Sequence, residues 1–313
     1  MRKKRRKKKY GLRIALFILA AVMVGAVLYL YPAWKAAKVL QDRMGLPYSS
    51  FEIEVELDQE KVPAEQEEMF ATLARLTGLR EEAMYRLSIK GNALEDKVHL
   101  MIYPEGEEEP LLELYLSNDT SVINETILYN AIRGNLVGQF GLLEYLMPGQ
   151  EGTMYMTLEQ VEQLFGVKIS GLDSFRLSGA DGGITAKGYF LMLAVMSREK
   201  LADGSRFALE TEQIELGFDI AEEENGAARM RLWIKNPSEV LTQGDRVLSL
   251  LGNWLSPGLP SGLSREELQG LKGFSMTLTR SEEGALTIPT NLVNQETIEM
   301  LSKIRAWIQE TFG

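Results

Sequence analysis

Eight consecutive basic residues, Arg2 to Lys9, lead into twenty-one residues without a charge, Ile14 to Trp34. No other feature constrains this chain as strongly. As a helix, Ile14 to Trp34 is about 31 Å long, which matches a hydrocarbon core of roughly 30 Å. Lys and Arg are strongly disfavoured on the translocated side, so the tail of residues 1–13 is expected to stay in the cytoplasm. Everything after residue 34 is then extracytoplasmic. The basic run also suits anionic lipid head groups, and before a span this explains it better than nucleic acid does.

A cleaved signal peptide would share the basic start, but its apolar core is shorter. The exit Leu28-Tyr29-Leu30-Tyr31-Pro32-Ala33-Trp34 is bulky where a peptidase needs small residues. Tyr29, Tyr31 and Trp34 suit the far interface of an uncleaved anchor. A lipoprotein is excluded, because the chain has no cysteine to acylate.

Charge is sharply partitioned. Residues 1–13 hold nine of the 34 Lys and Arg and none of the 44 Asp and Glu, so the remainder carries a net −19. An outer domain that acidic is repelled by nucleic acid and well solvated. Without cysteine it must hold itself by core burial, which a 45% hydrophobic composition supports.

The predicted fold class is α+β: a transmembrane helix over 14–34, a stalk helix over 35–46, then antiparallel sheets packed with long amphipathic helices. Two lobes are expected, 47–150 and 151–313. Strict alternation in Phe51-Glu52-Ile53-Glu54-Val55-Glu56-Leu57 marks a half-buried strand. Pro63 to Leu76 reads as a helix with Met69, Leu73 and Leu76 inward. Strands follow at Tyr85 to Lys90, Lys97 to Tyr103 and Leu111 to Leu116. A long helix from Asn124 to Leu146 carries the stripe Leu128, Ala131, Ile132, Leu136, Phe140, Leu143 and Met147, with Gly134, Gly138 and Gly141 allowing close packing.

In the second half, Thr157-Leu158-Glu159-Gln160 is a capping-box signature for a helix reaching Phe165. Strands are predicted at Ser174 to Ser178, Gly188 to Met196, Phe207 to Ile220 (bent) and Arg229 to Lys235. Ser238 would cap a helix towards Trp254, with another at Arg265 to Leu271. A hairpin at Phe274 to Ile288 precedes a terminal helix capped by Asn294, with Ile298, Leu301, Ile304 and Ile308 inward.

Catalytic motifs are scarce. The single histidine, His99, lies on the strand face opposite Val98, Leu100 and Ile102, towards solvent or a sheet–helix seam, and reads as structural or incidental. The usual zinc sites cannot be assembled without a second histidine or a thiolate. Ser197-Arg198-Glu199-Lys200 matches S-x-x-K but lacks the helix start and companion motifs of that chemistry. Glu67-Glu68, Glu107 to Glu109, Glu222 to Glu224 and Glu266-Glu267 read as solvated decoration. The sequons at Asn118 and Asn124 read as turn chemistry. No catalytic, cofactor or metal residue is assigned.

Tyr189-Phe190-Leu191-Met192-Leu193-Ala194-Val195-Met196 is uncharged and read as a strand buried on both faces. Tyr189, Leu191, Met192, Leu193 and Met196 are therefore the candidate lining of a hydrophobic-ligand groove. The sequence predicts a single-pass cell-membrane protein, N-terminus cytoplasmic, with a non-enzymatic interaction or scaffold role in the cell envelope. Its expected partners are the bilayer through 14–34, anionic head groups at Arg2 to Lys9, and an envelope protein or lipid. A tethered lipid carrier is the alternative, and a carboxylate-dependent hydrolase comes third.

Overall fold

The computed structural model describes residues 23–25, 27–42, 46–145, 149, 152–165, 186–210, 215–222, 228–235, 270–296, 298, 299, 302 and 303. The fold is α+β, built on one eleven-stranded antiparallel sheet. The strands are β1 (Tyr48–Leu57), β2 (Arg86–Leu94), β3 (Lys97–Pro104), β4 (Leu112–Leu116), β5 (Ser121–Asn124), β6 (Tyr155–Thr157), β7 (Ser197–Lys200), β8 (Gly204–Glu210), β9 (Glu215–Glu222), β10 (Ala228–Lys235) and β11 (Leu271–Ser281). Helices are α1 over residues 23–25 and 27–42, α2 (Ala64–Thr77), α3 (Glu125–Gln139), α4 (Leu158–Phe165) and α5 (Ala186–Leu193).

The sheet order is β6-β5-β4-β3-β2-β1-β11-β10-β9-β8-β7. One meander walks outward from β1 to β6 and another inward from β7 to β11. They join where β1 and β11 pair from Tyr48↔Ser281 to Leu57↔Leu271. The two halves of the chain, with their expected break near 148–152, thus contribute to one sheet, and β6 at residues 155–157 extends the first meander.

Alternation separates the faces of every long strand. On one face Phe51, Ile53, Val98, Leu100, Leu114, Leu116, Phe207, Leu216, Phe218, Ile220, Met230, Leu232, Ile234 and Phe274 form a continuous core. Ala33, Ala36, Ala37 and Leu40 of α1 belong to that core, as do Tyr189 and Leu193 of α5 and the following Met196. The helix preceding the sheet is therefore built into the domain instead of standing under it as a separate stalk. A second cluster places Phe70 and Ala74 of α2 against Met84, Tyr85 and Leu111.

Among the described residues no helix is long and apolar enough to cross a membrane. Residues 14–22 and 26 of the expected span, the tail 1–13 and residues 43–45 lie outside the described residues. So do the strand at Ser174 to Ser178, the helices after Ser238 and at Arg265 to Leu271 (Leu271 itself opens β11), and Leu301, Ile304 and Ile308.

Several expectations are corrected. Ala186–Leu193 is a helix and the chain turns at 194–195, so Gly188 to Met196 is not a strand. A short apolar run fits either period, and here Leu, Met, Ala and Phe outnumber one β-branched Val195. Phe207 to Ile220 is two strands, β8 and β9. Phe274 to Ile288 is no hairpin, because β11 takes both its partners, β1 and β10, from elsewhere in the chain. The short strands β5, β6 and β7 had no hydrophobic run long enough to announce them.

In α2 Phe70 and Ala74 are buried and Leu73 packs half-buried beside them, as expected, while Met69 and Leu76 face out. Met69 is displaced by one position, which is enough to rotate it about 100° around a helix. α3 ends at Gln139 and a 3-10 turn follows at Gly141–Tyr145. Phe140 is exposed, and a Cβ at Gly134, Gly138 or Gly141 would meet no atom within 4 Å. Among the described residues, then, nothing packs closely on those glycines. The capping box at α4 is present, with Gln160 N donating to Thr157 Oγ1 at 3.2 Å and Thr157 N to Gln160 Oε1 at 3.0 Å. Ile298 of the terminal helix is fully buried against Met156 and Val293.

Candidate functional site: the open polar face of the sheet

The other face of the sheet carries residues out of phase with the core. Because strands pair in fixed register, these residues form rows running across the sheet. One row reads Glu113, Met101, Lys90, Glu52, Thr277, Arg231, Asp219, Arg206 and Glu199, crossing from β4 to β7. Acidic and basic side chains alternate along it. Arg206 forks onto Asp219, with bonds of 2.7 and 2.8 Å, and this holds the guanidinium pKa above its ordinary value. Lys90 pairs with Glu52 at 3.3 Å and lies 5.4 Å above the Tyr103 ring.

Two residues along the strands, a parallel row reads Tyr103, Ser88, Glu54, Ser275, Trp233, Gly217, Ala208 and Ser197. Its members are mostly small, so it forms a trough with Trp233 and Tyr103 as its large rings. Gly217 makes the Trp233 position possible, because a Cβ there would sit 2.1 Å from the indole. Ser275 donates to Glu54 at 2.6 Å. A third row holds Arg86, Glu56, Gly273, Lys235, Glu215 and Glu210. Arg86 bridges Glu56 and Glu105, and Lys272 bonds Glu56 at 2.8 Å, which with Arg86 holds the Glu56 carboxyl below its ordinary value.

Together with Glu105, Glu107 and Glu108 of the β3–β4 loop, these rows bound an open groove of about 1210 Å³. Eight glutamates and five Lys or Arg line it. The charges are largely paired with one another and exposed, so each pair adds little stability, about 0–1 kcal/mol. Their consequence is a surface patterned in sign, with aromatic rings in the trough.

At the β3–β5 edge the same face closes into a compact polar cluster. His99 Nε2 donates to Glu113 Oε1 at 2.8 Å and its ring stacks on Tyr115 at 4.2 Å. Tyr115 donates to the same oxygen at 3.1 Å, and Asn124 Nδ2 donates to the other. The His99 bond leads in holding the Glu113 carboxyl below its ordinary range. Burial and then Glu113 push the Tyr115 and Tyr155 phenols up. A carboxylate so fully engaged, with its pKa lowered, is the opposite of a general acid. His99 therefore ties β3 to β4.

Asn124 also caps α3, accepting from Ile127 N, and is only 4% exposed, so that sequon is structural. At the other sequon, Thr120 N donates to Ser117 Oγ within a turn. Ser197 of S-x-x-K lies on edge strand β7 and donates to Ala208 O. Glu67 and Glu68 are exposed on α2. Among the described residues no cluster of three His, Cys, Asp or Glu could hold a metal ion.

The five residues named for a hydrophobic groove divide. Tyr189, Leu193 and Met196 are buried in the core, Met192 packs half-buried against it, and Leu191 points outward. Burial takes the Tyr189 phenol up to about 12. None of the five lines the polar groove. Register, unreadable without the pairing of β1 with β11, is what assembles the polar rows. Comparisons with protein-family models, with curated proteins and with solved structures find no match.

Proposed function

We propose that this chain is a single-pass, membrane-tethered protein of the cell envelope whose extracytoplasmic domain binds a protein partner on the polar face of its sheet. Residues 14–34 form the transmembrane helix, residues 1–13 its cytoplasmic tail, and residues 47–150 and 151–313 the two lobes of the outer domain. The role is non-enzymatic interaction or scaffolding.

The observation that carries this reading is the patterned polar face. Trp, Tyr and Arg are the side chains that most often dominate binding energy at protein interfaces. Trp233, Tyr103, Arg86, Arg206 and Arg231 line one groove that is open among the described residues. Rows of alternating sign give specificity by penalising a mismatched partner. The tether is supported by α1, which is exposed and apolar at Met23, Val24, Val27, Leu28, Tyr29 and Tyr31 and enters the core only from Ala33.

The lipid-carrier alternative has less support, because Tyr189, Leu193 and Met196 are already packed against the sheet. The test is a benzoylphenylalanine placed at Tyr103 and irradiated in intact membranes. A discrete heavier adduct that disappears with Trp233→Ala is expected. Adduct formation indifferent to Trp233→Ala, or none at all, would reject the polar face as the partner site.

A further inference from the structure

α5 presents an apolar surface that the core does not use. Tyr189 and Leu193 turn inward, while Leu191 is 58% and Val195 76% exposed. Leu191 lies four residues after exposed Lys187, on the same side of α5, and Val195 follows in the turn just beyond the helix. Their location in the fold is specific. Phe190, next to Leu191, meets Trp34 of α1 edge to face at 5.6 Å. Trp34 stands where α1 changes from an exposed apolar helix to a buried core helix. With Tyr29 and Tyr31 it forms the aromatic end of the uncharged stretch that begins at Ile14. α5 is thus held at the level where α1 would leave the bilayer.

Charge agrees. Residues 30–41 and 186–198 contain no Asp or Glu, although the chain after residue 13 is strongly acidic. The charges they do carry are Lys35, Lys38, Lys187 and Arg198, all exposed. Long basic side chains beside exposed apolar residues suit an interface, with stems along the apolar surface and heads among lipid phosphates. The rest of the domain would be repelled from such a surface.

We infer that α5 is a second membrane contact, with Leu191 and Val195 seated in the outer-leaflet interface beside the exit of α1 and Lys187 at the head groups. This rests on the anchor reading above. It fixes how the domain stands: the apolar end at α1 and α5 lies against the lipid, and the domain is pinned at two points instead of swinging on one helix.

The absence of cysteine makes the test clean. Single cysteines at Leu191, Val195, Tyr29 and Glu107 each carry a nitroxide in the full chain, reconstituted in vesicles of phosphatidylethanolamine and phosphatidylglycerol. Relaxation by oxygen, which concentrates in lipid, is compared with relaxation by a water-soluble nickel chelate. All four positions are exposed or on the rim of the groove, so the core is left intact. The expected result is lipid-like relaxation at Tyr29, Leu191 and Val195 and water-like relaxation at Glu107. Tyr29 in lipid with Leu191 and Val195 matching Glu107 would overturn the α5 contact and leave the anchor standing. Tyr29 in water would overturn the anchor and the α5 contact together.

Discussion

Leu40→Ala is the substitution that most sharply separates a helix built into the domain from a stalk beneath it. Leu40 is 0% exposed, in the same cluster as Ala37, Phe51 and Phe207. Truncation removes three buried carbons, about 2.4 kcal/mol of transfer free energy at roughly 0.8 kcal/mol each. A residual cavity raises the cost to about 3–5 kcal/mol, because neighbours on a sheet paired on both sides relax little. At about 2–4 °C per kcal/mol for a domain of this size, the melting temperature falls by about 6–20 °C. The comparison is Leu28→Ala on the same helix, 69% exposed, which costs within about 0.5 kcal/mol and leaves melting within about 2 °C. Both are measured on the full chain in detergent by near-ultraviolet circular dichroism. Equal melting of the two variants would refute the reasoning, since α1 would then contribute alike along its length. By the same argument a chain begun at residue 45 loses Ala33, Ala36, Ala37 and Leu40 and bares the apolar face.

Three further outcomes follow from local geometry. Gly217→Ala pushes the Trp233 indole out of the trough; it should cost about 1–3 kcal/mol by denaturant titration and weaken the Tyr103 photo-adduct, whereas an unchanged adduct would show that the ring's position does not matter. Glu113→Gln should cost about 1–2 kcal/mol through its weakened bonds to His99, Tyr115 and Asn124. Because the folded carboxyl is held below its ordinary 4.5, its stabilisation is complete above that value and lost as pH falls through the lowered one. Acid titration of stability should therefore be steeper in the parent than in Glu113→Gln, and identical slopes would contradict the cluster's role. Gly134→Ala, whose added Cβ lies within 4 Å of no described atom, should stabilise by about 0.5–1 kcal/mol, and destabilisation would contradict that reading of α3.

Much of the fold was legible where period and chemistry agreed locally. The Glu-Ile-Glu-Val alternation around Ile53 announced β1, and Thr157 with Gln160 announced the start of α4. β3 and β10 follow from the same period-two pattern. What was lost depended on distant partners. The pairing of β1 with β11 spans most of the chain, and no local residue encodes it. Without that pairing neither the single sheet nor the cross-strand rows could be assembled, so Trp233 and Arg231 looked like ordinary strand residues. Tyr189 to Met196 misled for a different reason: its composition signalled burial on both faces but carried no period to choose helix over strand, and a helix leaves Leu191 exposed. Half the signal was right, in that Tyr189, Leu193 and Met196 are core.

In the proposed topology the tether points inward at its basic end and the domain faces outward. Two single-cysteine chains, Lys7→Cys in the tail and Glu107→Cys on the groove rim, test that directly with a membrane-impermeant maleimide on intact cells. Glu107→Cys is expected to be labelled at once and Lys7→Cys only after the membrane is permeabilised. Labelling of Lys7→Cys in intact cells, or protection of Glu107→Cys until permeabilisation, would contradict it.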